Sequence, residues 1–360
     1  MNRTMSILKE YNWQKVVRTA KGIFGRESLA TGVDIGSSFM KTVVIQADHN
    51  GLSLADFSMQ SVVETALPDE QSYPGLVESI REKIMIPLGT IGTSLSGPSV
   101  FVKSITLPVM TEEDLREHLS LELDRYIAFD VQDVFWDVYC PKPFRETTGE
   151  QQEHFLVVAK KECVERRMYA FRQYGMTLRF VDVDAFALVN MVTYNYGNEG
   201  AWLLAHIGPT GMVMVIIVEG EPACIRKVSY EAEWYGDFLD QVLIRQTSLE
   251  LRKELGASET LLLEQFFQEA RAQICETLES FSDLSTKVID GGILLSGGYA
   301  VAPEMASTLA ESLGMPVNLL DPFRSITVPQ AIQQDLAFQQ AAPLMSIAVS
   351  VALRGGATHD

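Results

Sequence analysis

The sequence predicts an α/β protein built of two similar lobes that face one another across a cleft. Three observations carry this expectation. Residues 31–46 (TGVDIGSSFMKTVVIQ) read as an apolar strand that runs into Asp34, a Gly36-Ser37-Ser38 turn and a second apolar strand. Residues 202–218 (WLLAHIGPTGMVMVIIV) repeat that arrangement with Gly208, Thr210 and Gly211 at the turn, and internal repetition decides architecture ahead of local detail. Residues 292–302 (GILLSGGYAVA) then form a short β run that ends in Gly297-Gly298, followed by a helical stretch at 303–313. A strand, a glycine turn and a helix N-terminus together suit a nucleoside or a phosphate.

The first hairpin has the chemistry of an anion grip. Gly36 lets the backbone approach a ligand, two hydroxyls follow it, and the successive N–H groups of such a turn form a positively polarised nest. Asp34, at the end of a buried strand, can hold a divalent ion through water. A tight turn without a ligand has the same residue pattern.

Composition narrows the function classes. With 360 residues, 47% hydrophobic and 21% charged, the chain can bury a large core and should hold two domains or a few subdomains. A net charge of −18 argues against a nucleic-acid surface, since a phosphate backbone would be repelled. Cys140, Cys163, Cys224 and Cys275 are widely spaced and follow no C-x-x-C pattern, as expected for free thiols in a reducing compartment. The scattered histidines offer no metal cage, and no nucleophile elbow is present for a serine triad. No apolar run is long enough to span a bilayer and no signal peptide is recognisable, so a cytoplasmic protein is expected.

The remaining elements follow in chain order. Residues 1–27 are basic, with Arg3, Lys9, Lys15, Arg18, Lys21 and Arg26 against Glu10 and Glu27, and Trp13, Val16, Val17, Ala20, Ile23 and Phe24 recur at helical spacing. Such a helix can rest on an anionic membrane or an acidic partner, or simply be solvated. Strand-like residues 52–64 precede a helix near 75–85, and 90–108 alternate as two short strands around Gly97-Pro98. Thr111 and Asp114 cap a helix over 111–127 that carries Leu115, Leu119, Leu123 and Ile127 on one face.

Next come an aromatic strand at 134–140, a polar loop at 141–153, a strand at 155–159, a helix at 161–174 that stops at Gly175, a strand at 178–183 and a helix at 185–195. Asp182 and Asp184 stand two apart and would share a face of a strand; with no companion nucleophile or histidine, helix capping is the better reading than acid–base chemistry. Charged helices are expected at 237–255 and 259–284, with Glu250 and Lys253 spaced for an intrahelical ion pair. An almost wholly apolar helix at 343–354, with Pro343 at its start, should be buried.

Several of these blocks together resemble the PilM-like family of type IV pilus assembly proteins, within the actin-like ATPase superfamily. They are GVDIGSSFMKTVVI, LELDRYIAFDVQDVFWDVY, LVVAKKECVERRMYAFRQYGM with RFVDVDAFAL, and ILLSGGYAVAPEMASTLAESLGMPV with DPF. The likeness covers roughly residues 30–355, with the 126–134 stretch its most specific part, and the division protein FtsA is a more distant relative.

The resemblance implies an actin-like (ribonuclease H-like) two-lobed α/β fold with an inserted small α/β subdomain. Beyond the basic N-terminal helix at 1–27, which is longer than the family leads one to expect, it divides the chain into a first lobe at 28–108 and 177–199 closed by a C-terminal helix at 336–355, an inserted subdomain at 109–176 and a second lobe at 200–335. It places ATP and Mg²⁺ between the lobes. Asp34, Gly36, Ser37, Ser38 and Lys41 match the first phosphate segment, Gly208, Thr210 and Gly211 the second, and Gly297, Gly298, Glu250 and Lys253 the adenosine side, with Asp34 holding Mg²⁺ through water.

The partner it implies is the cytoplasmic tail of a PilN-like inner-membrane protein, held beside the inserted subdomain at the inner face of a bacterial inner membrane. The pilus motor ATPase, peripheral membrane contact through 1–27 and a homo-oligomer extend that picture. One departure bears on catalysis: His206 stands where the family's second phosphate segment has an acidic residue. An imidazole cannot replace a carboxylate as an outer-sphere ligand of Mg²⁺, so weak ATPase activity at most is expected. The alternatives within the superfamily are an FtsA-like polymer-forming protein and a sugar-kinase-type enzyme.

Overall fold

The structure, a computed structural model, describes residues 28–62, 73–97, 100–141, 151–208, 211–229, 257–282, 289–302 and 304–357. The expected helices at 1–27 and 237–255 lie outside them.

The first sheet begins with the expected hairpin. Strands β1 (Ser28–Ile35), β2 (Phe39–Asp48) and β3 (Gly51–Ser61) run antiparallel in succession. After helix α1 (Tyr73–Lys83), strand β4 (Thr90–Leu95) returns parallel to β1. Gly97, at φ 70°, then turns the chain out of this sheet. Strands β4 and β5 (Val100–Pro108) therefore belong to different sheets, although in the sequence they look like one short pair.

Strand β5 starts an antiparallel three-stranded sheet covered by helix α2 (Glu112–Glu122) and completed by β6 (Val134–Tyr139) and β7 (Gln151–Lys160), in the order β5-β7-β6. Helix α2 starts where its cap predicts: Thr111 Oγ1 accepts from the Asp114 backbone N–H at 3.1 Å, and Leu115 and Leu119 sit on the sheet with Leu123 and Ile127. Strand β7 begins four residues before the expected strand at 155. Helix α3 (Lys161–Gln173) buries Val164, Ala170 and Phe171 in the core shared with β1, α1 and β4. Strand β8 (Leu178–Val183) closes the first sheet, in the order β3-β2-β1-β4-β8.

Helix α4 (Asp184–Tyr196) leads to the second sheet. Its strands are β9 (Ala201–Gly208), β10 (Gly211–Val218), β11 (Glu221–Ser229), β12 (Gly292–Ser296) and β13 (Val317–Leu319), with helices α5 (Ala257–Ser282) and α6 (Met305–Leu313) on its outer face. The order β11-β10-β9-β12-β13 matches the first sheet position by position, with the same pattern of antiparallel and parallel neighbours. This duplicated order is the actin-like, ribonuclease H-like plan that the sequence predicts.

The C-terminal segment forms helix α7 (Leu336–Ala341), a turn at Ala342–Leu344 that holds Pro343, and helix α8 (Ser346–Ala357). The apolar helix thus starts three residues beyond Pro343, whose ring occupies the turn instead of the first helical position. Helices α4 and α8 lie between the two five-stranded sheets. One core joins Val43 and Ile45 of the first sheet, Leu188 and Met191 of α4, Ile347 and Val351 of α8, and Leu204 and Val215 of the second sheet. Gly32 makes this approach feasible, because a Cβ there would overlap the backbone of Ala348.

Candidate functional site

Because both sheets carry the same hairpin, their two turns meet at one cleft of about 410 Å³. Its wall includes Asp34, Gly36, Ser37, Ser38 and Lys41 from the first hairpin, Gly208 and Gly211 from the second, and Gly297 and Gly298 from the turn after β12. Nine of the twelve residues singled out from the sequence are thus brought together. Thr210, Glu250 and Lys253 fall outside the described residues.

In the first hairpin the Gly36 N–H donates to the Phe39 carbonyl at 3.1 Å, which closes the turn and leaves Ser37 and Ser38 at its tip. Antiparallel register sets Asp34 directly opposite Lys41, and Lys41 Nζ reaches Asp34 Oδ2 at 2.7 Å. Both side chains are largely buried, so the pair is shielded from solvent. In the second hairpin the equivalent pair is His206 opposite Val213. His206 Nδ1 lies 3.1 Å from Ser296 Oγ on the neighbouring strand β12. Burial is the main cause that lowers the His206 pKa to about 4, with nearby Asp34 opposing and Lys41 adding to the shift. The imidazole is therefore neutral at physiological pH.

Gly297 sits at φ 95°, and a Cβ there would run into the backbone of Ile207. The turn that follows β12 thus lies flush against the second hairpin, and a side chain could not be accommodated.

Asp182 and Asp184 do not act as the caps expected of them. Asp182, on β8, is buried and ion-paired with Arg354 of α8, whose guanidinium also stands 5.1 Å from the centroid of the Phe180 ring. The Asp182 Oδ1 accepts from the next residue's N–H at 2.7 Å. Asp184 is already in the first turn of α4, where the cap residue Val183 offers no side-chain bond. The change from strand to helix between them turns Asp184 away from Asp182 and into the cleft. Burial, reinforced by Asp34, raises its pKa to about 7, against hydrogen bonds from Ser94 and Ser96 and the charge of Lys227.

Lys227, on β11, carries no motif signal in the sequence and emerges only from the fold. Its ammonium crosses from the second lobe to donate to the backbone carbonyls of Gly97 and Val100, the latter at 3.3 Å, where the chain leaves the first sheet for the small one. Burial lowers its pKa and Asp184 raises it. Arg166 and Arg167 of α3 also line the cleft, the first paired with Glu162 and the second donating to Thr93 Oγ1 at 3.3 Å.

The arrangement suits a polyphosphate better than a protein-bound metal. Small-residue turns at three edges admit a ligand to the backbone, and Lys41 and Lys227 supply positive charge from opposite lobes. Mg²⁺ asks for octahedral oxygen ligands, with one or two ionised carboxylates from the protein. Here Asp34 is taken up by Lys41, the second hairpin presents a neutral imidazole, and Asp184 keeps its proton up to about pH 7. Among the described residues, no group of three or more His, Cys, Asp or Glu side chains could hold a metal ion. The donor set does not fit Mg²⁺ held by the protein.

Comparison with known proteins adds the following. The family described as "Type IV pilus assembly protein PilM" matches residues 32–356. Among solved structures, the chain is similar to one from the "PilM-PilN type IV pilus biogenesis complex", with 24% identity and a TM-score of 0.70, over 91% of this chain and 98% of that one. It also aligns with the ethanolamine utilization protein EutJ from Carboxydothermus hydrogenoformans, with 13% identity and a TM-score of 0.49, over 90% of this chain and 89% of the other.

Proposed function

The chain belongs to the family of type IV pilus assembly protein PilM, and from that premise we propose that it is an actin-like scaffold that binds the cytoplasmic tail of a PilN-like inner-membrane protein. In this reading it works at the inner face of a bacterial inner membrane and holds a nucleotide between its lobes. The observation that carries the proposal is the family match across both sheets and the small sheet inserted between β4 and β8 of the first. The similar structure from a PilM–PilN complex supports the choice of partner. Among the described residues no single helix is long and apolar enough to cross a membrane, so attachment through a membrane-anchored partner accounts for the location.

The small sheet is the part we assign to the tail. It exposes Phe101, Val109, Phe129 and Val131 around its edge, apolar surface of the kind a peptide covers. We draw the inserted unit at residues 100–160, since β5 belongs to its sheet and α3 packs into the first lobe. Titration of the full chain with a peptide of the PilN-like tail tests the proposal. Saturable binding that weakens when Phe129 and Val131 are replaced by Ser supports it, and no binding at high peptide concentration overturns it.

Nucleotide binding is supported by the two facing hairpins and the lysine-lined cleft. Hydrolysis is expected to be weak or absent, because His206 is neutral and held by Ser296, and no ionised carboxylate of the second hairpin stands ready to position a water. Isothermal titration with ATP tests the binding, with a Gly36→Asp variant that crowds the first turn as control.

A further inference from the structure

We propose that this cleft takes the polyphosphate of a nucleotide as a metal-free anion, with Lys227 and Lys41 in place of a divalent cation. The inference rests on the nucleotide reading above and departs from the metal-assisted binding that the actin-like resemblance implies.

Two matching hairpins would clamp a cation if both carried a carboxylate. Here the matching positions hold an Asp34–Lys41 ion pair and an uncharged His206–Val213 pair, so a cation would meet one carboxylate, already neutralised at 2.7 Å. Asp184, the remaining acid in the wall, accepts hydrogen bonds from Ser94 and Ser96 and faces the Lys227 ammonium. A divalent ion would therefore have to separate Asp34 from Lys41 in a partly buried setting and also compete with Lys227 for Asp184.

Lys227 is placed to meet phosphate instead. An ammonium has three N–H donors, and two of these are used on the Gly97 and Val100 carbonyls, neutral groups that fix the side chain without cancelling its charge. The same ammonium feels the charge of Asp184, which keeps its proton up to about pH 7, so the positive charge stays available to a ligand in the cleft. Lys41 stands at the base of the Gly36-Ser37-Ser38 turn and lines the same cleft as Lys227, so a phosphate chain lying between the turns would meet both ammoniums, with Lys41 sharing its donors between Asp34 and the ligand. The anion would then bridge the two lobes through lysines, the role a cation shared by two acidic hairpins would otherwise play.

The test is titration of the full chain with ATP, in parallel with excess EDTA and with excess Mg²⁺, for the natural sequence and for Lys227→Met and Lys227→Arg. The proposal expects affinities in EDTA and in Mg²⁺ to agree within about threefold, a loss of about tenfold or more in Lys227→Met, and recovery in Lys227→Arg. Thermal unfolding of each variant identifies any loss that comes from failure to fold, and the arginine variant carries the comparison if the methionine variant does not fold. Binding seen only with Mg²⁺ overturns this inference and leaves the nucleotide reading standing. Binding in neither buffer overturns both, and metal-free binding unaffected in a folded Lys227→Met variant removes Lys227 from the site.

Discussion

The two hairpins that face each other across the cleft share strand order, register and turn length, yet one is ionic and the other is not. In the first, Asp34 and Lys41 stand opposite on neighbouring strands and form an ion pair. In the second, His206 and Val213 occupy the same positions, with the imidazole neutral and hydrogen-bonded to Ser296. The same asymmetry continues beneath the cleft. The outermost parallel strand of the first sheet buries Asp182 against Arg354, whereas its counterpart in the second sheet, Val317–Leu319, contributes only the apolar Val317 to the core. A repeated backbone therefore need not carry a repeated chemistry. Register determines which side chains confront each other, and substitution within that register decides whether the pair can hold a cation.

The largest effect expected from breaking this contrast lies at the buried pair. Asp182→Ala or Arg354→Met leaves one charge uncompensated in the core and should cost about 3–5 kcal/mol in a denaturant titration, while replacing both by apolar residues should recover much of that loss. A single variant as stable as the natural chain would refute an ionic interior for the first lobe. The turn after β12 that lies against the second hairpin should be sensitive at its backbone. Gly297→Ala, at φ 95° and against Ile207, should cost about 2 kcal/mol, whereas Gly36→Ala, whose Cβ would meet the Phe39 carbonyl at 3.2 Å and the movable Lys41 Nζ at 3.6 Å, should be much milder.

Making the hairpins alike sharpens the comparison. His206→Asp places a carboxylate opposite the first turn, and nucleotide affinity should then rise by about tenfold on adding Mg²⁺, a dependence expected to be absent beforehand. Titration calorimetry in EDTA and in Mg²⁺ reads this directly. An unchanged Mg²⁺ response in the variant would mean that geometry, and not the missing charge, keeps the cation out.

The smallest effect concerns pH. His154 is buried and His206 half-buried in the cleft wall, and desolvation lowers both pKa values, that of His206 to about 4, so the unfolded chain takes up these protons first. Their contribution to stability is complete above about pH 6.5 and declines as the pH falls towards 4. Asp184 acts with the opposite sign: its folded value of about 7 exceeds the unfolded one, so its contribution is present in acid and is lost as the pH rises through 7. That loss runs from about pH 4 to pH 7, so Asp184→Asn should stabilise the protein more at pH 8 than at pH 4, by about 1 kcal/mol or more, as measured by thermal unfolding. Equal effects at both pH values would show that Asp184 is ionised throughout.

What the sequence by itself determined is local and repeated: apolar strand runs, small-residue turns at Gly36, Gly208 and Gly297, the Thr111 cap and the apolar C-terminal helix. These are legible because strand and helix periods, turn residues and caps act over a few neighbouring positions. The duplicated hairpin also placed most of the cleft residues, since a β-turn brings its own two strands together. Tertiary structure decided the rest. Lys227 reaches Gly97 across 130 positions of chain, and Arg354 reaches Asp182 from the C-terminal helix, distances over which spacing carries no information. The strand-to-helix change between Asp182 and Asp184 sent two neighbouring acids to different environments, one into the core and one into the cleft. The charge state of His206 likewise depends on burial beneath the opposite lobe, because desolvation is set by what packs over a group and not by its neighbours in sequence.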